Sequence, residues 1–159
     1  MNGTDATTRD ARVGDVGGIE FEAMVLGRHL SPMGGGHGLH LDKSAYTLLS
    51  RLRLEGPMSI GQLSEAFGLD ASTLNRQTAR MVKLGLLRRI PDPDGGMARK
   101  FEVTELGVEH FDHDRRVKLA GLSEVLSGWP ADDVAELADL LRRFNASIEE
   151  RDGRPWPRP

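Results

Sequence analysis

Residues 59–104 read SIGQLSEAFGLDASTLNRQTARMVKLGLLRRIPDPDGGMARKFEVT and contain two short helical signals, a tight turn between them, and a strand, turn, strand pattern. Ser59 can cap the first helix, and Gln62 can reach back to the Ser59 amide to complete a capping box. Gly68 can end that helix in the left-handed conformation, and Asp70 can cap the second helix. A helix held by a partner helix and followed by a hairpin commonly places side chains in the DNA major groove.

The second predicted helix, Ala71 to Leu84, separates apolar from basic side chains. Leu74, Met81, Val82 and Leu84 gather on one side with Thr78. From residue 71 to residue 89 there is no acidic residue and there are five basic ones, Arg76, Arg80, Lys83, Arg88 and Arg89. The whole chain has a formal net charge of −3, so positive charge is concentrated where a polyanion could bind. An ordinary solvated face is the alternative interpretation of this charge alone.

A β-hairpin is predicted to follow this helix. Leu86 to Ile90 is typical of a short strand, Pro91 to Gly96 of a turn, and Phe101 to Thr104 of the returning strand. Arg99 and Lys100 lie just beyond the turn. Such a hairpin can act as a wing that lays a cation against a phosphate or into the minor groove. An ordinary surface hairpin with solvated cations is the alternative.

In this order, the elements resemble the winged helix-turn-helix core of the MarR (multiple antibiotic resistance regulator) family of bacterial transcription factors. The resemblance spans residues 42–107 and rests on the run LSEAFGLDASTLNRQTARMVKLGLLRR, the wing DPDGG...ARK, and VTELG at the start of the next helix. It implies a dimeric DNA-binding regulator, usually a repressor, whose first and last helices interlock with those of a second subunit. It also implies a small-molecule effector bound between the dimer lobe and the winged lobe.

The wing departs from the family pattern. Family wings usually place an Arg two residues after an Asp, whereas here Asp94 is followed by Gly95 and Gly96, and the next arginine is Arg99. The wing is therefore expected to be one residue longer than is usual in the family.

The flanking segments also carry helical patterns. A first helix is predicted near residues 19–33, and Asp42 can cap a second helix. Thr104 can cap a long helix, and Pro130 can begin the last helix. The last helix has an apolar seam formed by Val134, Leu137, Leu141, Phe144 and Ile148. This seam is larger than a small monomer should leave uncovered, so a partner chain is expected to cover it. Packing on the protein's own first helix is the alternative.

The predicted fold is mainly α with a small β-hairpin wing: a winged helix-turn-helix plus a helical dimerisation lobe formed by the N- and C-terminal helices. The expected segments are a disordered arm (1–18), an N-terminal dimerisation helix with a Gly-rich loop (19–41), the DNA-binding domain (42–104), C-terminal dimerisation helices (105–151) and a flexible tail (152–159). The length of 159 residues and the 38% hydrophobic content suit one modest core with a shared dimer lobe.

Composition excludes several other classes. The chain has no cysteine, so neither disulfides nor thiol switching can operate. It has no apolar signal segment and no stretch of membrane-spanning length, so we expect a cytoplasmic protein with no membrane partner. Paired carboxylates, a nucleophile beside a base, and cofactor fingerprints do not stand out, so neither an enzyme nor a bound cofactor is predicted.

Two histidine pairs suggest an alternative, metal-responsive regulator. His37 and His40 share a Gly-rich loop, and His110 and His113 lie three residues apart on the long helix. A zinc site could form if the loop approached that helix. Neither pair has a further ligand at a telling spacing, so exposed or partly buried imidazoles are the preferred interpretation and no metal site is predicted.

The main functional prediction is a homodimer that binds a pseudo-palindromic operator in double-stranded DNA. The residues expected to contact DNA are Ser72, Thr73, Asn75, Arg76, Arg80, Lys83, Arg99 and Lys100. Those from Ser72 to Arg76 lie in the first turns of the recognition helix and should meet base edges, with Arg76 suited to guanine. The other four should hold phosphates or enter the minor groove. A winged-helix module that binds an acidic protein partner is the alternative function.

Overall fold

The computed structural model describes the backbone of residues 3–30 and 41–159, and the side chains of residues 15–29 and 41–159. Within these residues it contains six helices and a three-stranded antiparallel sheet, which confirms the predicted fold class. The elements are α1 (Gly3–Leu30), α2 (Lys43–Glu55), β1 (Met58–Ser59), α3 (Ile60–Phe67), α4 (Ala71–Lys83), β2 (Leu87–Ile90), β3 (Lys100–Val103), α5 (Glu105–Val125) and α6 (Ala131–Asp152). The chain divides into two compact units, residues 1–35 and 36–159, which are described separately.

Helix α1 is longer than the sequence predicts. From Gly3 onward, the segment expected to be a disordered arm (1–18) is helical. The side chains of this segment are described only from residue 15 onward, and Val16 among them is exposed. Residues 3–30 contain no proline, which is the residue that interrupts a helix most strongly.

The second unit begins with helices whose ends follow the predicted capping residues. Asp42 accepts a hydrogen bond from the Ala45 amide at 2.8 Å, and Ser59 and Gln62 form the complete capping box. Gly68 ends α3 with a φ of 62°, in the left-handed region. Asp70 occupies the N-cap position of α4, but its side chain makes no capping hydrogen bond. These local signals therefore located the helix ends correctly.

The sheet has the strand order β1, β3, β2. Arg89 pairs with Phe101 across the hairpin, and Met58 pairs with Phe101 on its other side. The two hairpin strands begin within one residue of the predicted positions. The sequence did not predict β1, because a two-residue strand has no periodicity and exists only through its pairing with β3.

The core lies between α2, α3, α4 and the sheet. Its most deeply buried apolar side chains are Leu48, Leu49, Leu63, Leu74, Leu86, Leu87 and Phe101. Helix α4 contributes Leu74, Thr78 and Met81 to this core. Val82 and Leu84, which were expected on the same side, are each 38% exposed. On the helical wheel, Val82 and Leu84 lie at the two edges of the stripe centred on Leu74, Thr78 and Met81, and Leu84 follows the last residue of α4, so both are partly exposed.

Helix α5 is attached to α2 by aromatic and polar contacts. The rings of Tyr46 and Phe111 stack with centroids 4.6 Å apart. Asp114, which is buried on α5, accepts a hydrogen bond from the Leu41 amide at 2.9 Å. The first half of the long helix is thereby fixed to the lobe formed by α2, α3, α4 and the sheet.

Helix α6 contains no buried residue, and its Leu140, Leu141 and Phe144 are exposed. Beyond α6, the segment expected to be a flexible tail (152–159) is packed on α2 and α3. The sequence prediction was wrong here because it weighed proline content and not the aromatic contact that Trp156 makes with Phe67. No helix among the described residues has the length and apolar character that a membrane span requires.

Candidate nucleic-acid interface

Helix α4 is held in the fold by one side and exposes the other. The buried side carries Leu74, Thr78 and Met81, and the Thr78 hydroxyl donates to the Leu74 carbonyl at 2.8 Å, so no polar atom is left unsatisfied there. The opposite side exposes the predicted DNA-contacting residues Ser72, Asn75, Arg76, Arg80 and Lys83, while Thr73 is half-buried. The structure therefore brings these six residues together on one helix.

Two cations on α4 are available to a ligand. Within the described part of the chain, the side chains of Arg76 and Lys83 make no ion pair or hydrogen bond, and both are exposed. They are seven residues apart, so about 1.5 Å of rise per residue separates them by about 10 Å along the helix. Two unpaired cations on one face are suited to a polyanion that runs alongside the helix.

Arg80, the third cation of α4, is already paired. Its guanidinium donates to Asp42 at 2.5 Å, and both side chains are substantially exposed. The pKa of Asp42 is lowered, mainly by the hydrogen bond from the Ala45 amide and further by Arg80, although partial burial opposes this. The same carboxylate thus caps α2 and holds Arg80 on the surface of α4. The sequence predicts the cap but not the ion pair, which joins residues 38 positions apart.

The cations of β2 are also occupied. Arg88 forms an ion pair with Glu102 of β3 at 2.5 Å, and the guanidinium of Arg89 lies over the Phe101 ring at 5.2 Å. Both contacts follow from the hairpin register, which places Glu102 opposite Arg88 and Phe101 opposite Arg89. These two arginines therefore stabilise the sheet, although the sequence predicted that they belong to the basic surface.

The wing corrects the prediction for Lys100. Its ammonium group is buried and paired with Asp92 at 2.7 Å and Asp94 at 3.0 Å. Hydrogen bonds from Lys100 lower the pKa of Asp92, and the hydrogen bonds to Asp92 and then Asp94 raise the pKa of Lys100. Lys100 therefore braces the wing from inside and is not placed to hold a phosphate. The sequence could not show this, because it did not fix which side of β3 faces the turn.

Asp92 organises the rest of the turn. It accepts hydrogen bonds from the Asp94 amide through its side chain at 3.1 Å and from the Gly95 amide through its carbonyl at 3.0 Å. Gly95 has a φ of 80°, and any side chain at Gly96 would collide with the Asp92 carboxylate. Gly95 is therefore favoured by its backbone conformation, and Gly96 by the close approach of the Asp92 carboxylate.

Beyond this braced turn, Arg99 is exposed, as the prediction for a wing cation requires. Met97 is also fully exposed. Met97 was not among the predicted site residues, although a methionine between a glycine turn and a basic pair is a visible signal in the sequence. Beyond the turn, the wing thus presents to solvent one cation, Arg99, and one flexible apolar side chain, Met97.

A cavity of about 310 Å³ lies between the start of α2 and α4. Asp42, Thr73, Arg76, Gln77 and Arg80 supply most of its polar lining. A molecule in this cavity would touch the two arginines of α4.

The predicted histidine pairs are only partly within the described residues. His37 and His40 lie outside them, so the loop half of the alternative metal site is not described. His110 and His113 are on α5, and in the described part of the chain no group of three or more His, Cys, Asp or Glu residues is arranged to hold a metal ion.

Comparison with known proteins identifies relatives. The MarR family model matches residues 41–95. The chain is similar to a Bacillus subtilis (strain 168) protein named uncharacterized HTH-type transcriptional regulator YxaD, with 34% identity over 109 residues that cover 69% of this chain and 76% of that protein. The matched residues include α2, α3, α4 and the start of the wing.

Solved structures share the fold. A MarR family protein from Bacillus stearothermophilus superposes with a TM-score of 0.73 at 18% identity, covering 87% of this chain and 96% of that one. A mutant MarR from E. coli in complex with operator DNA superposes with a TM-score of 0.64 at 18% identity, covering 82% of this chain and 95% of that one. The PcaV transcriptional regulator from Streptomyces coelicolor, in complex with its natural ligand, gives 0.62 at 23% identity, covering 80% and 91%. The sequence match and the order of the elements agree, and the chain belongs to the MarR family of transcriptional regulators.

Proposed function

We propose that this transcriptional regulator acts as a homodimer that binds a pseudo-palindromic operator, with α4 of each subunit in the major groove. The observation that carries the proposal is the exposed face of α4. In the hairpin, Lys100 is buried between two aspartates, and Arg88 and Arg89 contact Glu102 and the Phe101 ring, whereas Arg76 and Lys83 are exposed and make no ion pair or hydrogen bond within the described residues. That selective availability is what a DNA-reading helix needs.

Base contacts are assigned to the first turns of α4. Ser72, Thr73, Asn75 and Arg76 are close to its N-terminus, and a helix that enters the major groove usually reads bases with these positions. Arg76 can donate two parallel hydrogen bonds to guanine. Lys83, in the last turn of α4, is assigned to a phosphate.

Arg80 and Arg99 are assigned to the DNA backbone and the minor groove, respectively. Arg80 retains donors beyond the one that binds Asp42, so a phosphate can share it. Arg99 stands on a wing whose shape is held by the Lys100 ion pairs, so little ordering is needed when it binds.

A second copy of the chain is the partner that suits the helical termini. Exposed apolar side chains recur on three helices: Ile19, Phe21 and Met24 on α1, Leu119 and Val125 on α5, and Leu140, Leu141 and Phe144 on α6. Surfaces of this kind mark protein interfaces. A two-fold dimer would present two α4 helices about one DNA turn apart, which favours a pseudo-palindromic operator.

A small acidic molecule is the effector class that the cavity beside α4 favours, and repression is the output we propose. A ligand that binds there would meet Arg76 and Arg80, which are the groups assigned to DNA. Ligand and operator would then compete. The extent to which the operator is released would depend on how much more tightly the ligand binds the DNA-free protein than the DNA-bound protein. Mass spectrometry of metabolites retained by the purified protein tests this part of the proposal.

The decisive experiment is a gel-shift titration against the gene's own upstream DNA, with a shuffled duplex of the same composition as control. We expect tight, salt-sensitive binding that prefers the upstream sequence, and sedimentation of a dimer. Equal and weak binding to both duplexes would contradict the proposal and favour a module that binds an acidic protein partner. A monomer at working concentration would contradict the two-fold arrangement.

A further inference from the structure

The chain reverses direction after α6 and returns to the DNA-binding lobe. Gly153 has a φ of 66°, and the Arg154 amide donates to the Glu149 carbonyl at 3.1 Å, so the end of α6 is closed by a left-handed turn. We call residues 153–158 the C-terminal strap. Pro155 and Pro157 restrict its backbone, which reduces the entropy lost when the strap is ordered.

Glu149 of α6 organises the strap. Its carboxylate accepts two hydrogen bonds from the Arg158 guanidinium, at 2.7 and 2.8 Å, and one from the Trp156 amide at 3.1 Å. The Arg158 hydrogen bonds, followed by the Trp156 amide, lower the pKa of Glu149 to about 2. The strap is therefore fixed at two points to the helix that precedes it.

Trp156 attaches the strap to α2 and α3. Its indole meets the Phe67 ring edge-on with centroids 5.4 Å apart, and the Arg51 guanidinium lies over the indole at 4.9 Å. Arg51 also donates to the Pro155 carbonyl at 3.0 Å and to both oxygens of Glu55. Because Arg51 is only 6% exposed, the strap supplies part of the environment that compensates its buried charge.

These contacts fall at the turn between the two helices of the helix-turn-helix. Phe67 is the last residue of α3, and the next residue, Gly68, begins the turn that leads to α4. The Arg154 guanidinium occupies the space where a side chain at Gly68 would project. Inside the turn, the Ser64 hydroxyl donates to the Leu69 carbonyl at 2.6 Å. The strap therefore packs against the segment that sets how α4 leaves α3.

We propose that the C-terminal strap positions the recognition helix, with Trp156 as the positioning residue. Trp156 touches no assigned DNA contact and acts through Phe67 and the α3–α4 turn. This inference rests on the proposed function, because the quantity that it controls is operator recognition by α4. The strap also connects α6 of each subunit to the DNA-binding lobe of the same subunit. A change in the position of α6 is thereby transmitted to α4 within one chain.

The test compares Trp156→Ala and Trp156→Phe with the unmodified protein, in titrations of operator and shuffled duplexes. Trp156→Ala should weaken operator binding about five- to tenfold and shuffled binding less than about twofold, which lies within the range of coupling by residues that touch neither ligand. The salt dependence should not change, since no phosphate contact is lost. Trp156→Phe should restore most of the operator affinity, because a second ring can still contact Phe67.

Arg142→Ala is the matched control, because it breaks an exposed ion pair with Asp139 on the same helix without touching the strap. It should bind both duplexes as the unmodified protein does. Glu149→Gln provides a second, milder variant that keeps a hydrogen-bond acceptor for the Trp156 amide; it should give a smaller, selective loss of operator affinity. Operator binding by Trp156→Ala that equals the unmodified protein, or a loss that is the same on both duplexes, would overturn the proposal.

Hydrogen exchange separates this inference from the proposed function. In Trp156→Ala, the amides of residues 67–74 should exchange faster while those of the hairpin are unaffected. If the unmodified protein shows no preference for the operator, the proposed function fails, and faster exchange in this segment still supports the positioning role. Unchanged exchange at residues 67–74 would overturn the strap proposal whatever the DNA result.

Discussion

Helix α4 and the wing carry similar charge in the sequence but use it differently in the fold. On α4, Arg76 and Lys83 are exposed, with no partner in the described residues. In the wing, Lys100 is buried between Asp92 and Asp94 and holds the turn together. Arg99, just beyond this turn, is exposed and makes no ion pair or hydrogen bond with the described residues. A count of basic residues therefore overstates the charge that DNA can meet, slightly on α4, where Arg80 pairs with Asp42, and most strongly in the wing, where Lys100 is buried.

The cations of α4 and of the wing differ because their distances to the nearest carboxylate differ. Helical geometry spaces the exposed cations of α4 along a face that carries no acidic side chain. The hairpin folds back on itself, so Lys100 reaches aspartates six and eight residues earlier in the chain. A cation in a short hairpin with an acidic turn should therefore be tested as an internal brace before it is assigned to a phosphate.

The largest effect that distinguishes the two regions is expected for Arg76→Ala. Loss of a two-pronged base contact should cost about 1–3 kcal/mol of operator binding and relax the preference at one base pair. A binding assay over a set of single-base operator variants measures both quantities. The stability of the protein should not change, because Arg76 is exposed and makes no described contact.

Lys83→Ala is the matched control for that change. It should weaken binding to specific and shuffled duplexes equally. The slope of the logarithm of the binding constant against the logarithm of the salt concentration, the salt slope, should fall by about one phosphate contact per subunit. Equal losses on both kinds of duplex for Arg76→Ala would remove its base-reading role and make the two positions equivalent.

Lys100→Met should alter the wing more than it alters DNA charge. The change keeps an unbranched side chain but leaves Asp92 and Asp94 without their cation, so the wing amides should lose protection against hydrogen exchange. Operator affinity should fall through loss of the ordered wing, and the salt slope should fall by less than one contact. Arg99→Ala is the comparison: it should lower the salt slope and leave wing protection intact. The reverse pattern would show that Lys100 is a phosphate contact.

Strong acid and strong base should each release the wing by breaking its internal ion pairs. The pKa of Asp92 is lowered below its ordinary value of 3.8, so its ion pair contributes fully above that value and is lost as pH falls through the folded pKa. The pKa of Lys100 is raised above 10.5, so its contribution is present below that value and is lost as pH rises through the folded pKa. NMR shifts of wing amides should stay constant between these limits. Wing shifts that titrate near neutral pH would contradict the brace.

The smallest effect is expected for Asp42→Ser, which keeps an N-cap for α2 but releases Arg80. A freed guanidinium and one less negative charge beside α4 should tighten shuffled-duplex binding about two- to fivefold at low salt and steepen the salt dependence. Titrations at several salt concentrations measure this. Weaker binding to both duplexes would show instead that Asp42 is needed to orient Arg80 towards a phosphate.

Local signals were sufficient for much of the fold. Capping by Asp42 and Ser59, the left-handed Gly68, and the glycine-rich turn of the wing were all predicted, because each depends on residues within a few positions of one another. The family resemblance was confirmed by the match to residues 41–95 and by the Bacillus subtilis relative. The helical arm from Gly3 and the docked C-terminal strap were missed. For the strap, the partners are more than 80 residues apart, since Phe67 meets Trp156.

The amino-acid sequence by itself determined where most helices begin and end, which face of α4 is polar, and which family the chain belongs to. These properties depend on backbone geometry and neighbouring side chains, which the order of residues specifies directly. Only the tertiary structure decided which cations are available, because the ion pairs of Arg80 and Lys100 are created when separate segments are brought together. Electrostatic pairing acts over a few ångströms in space, whatever the separation along the chain.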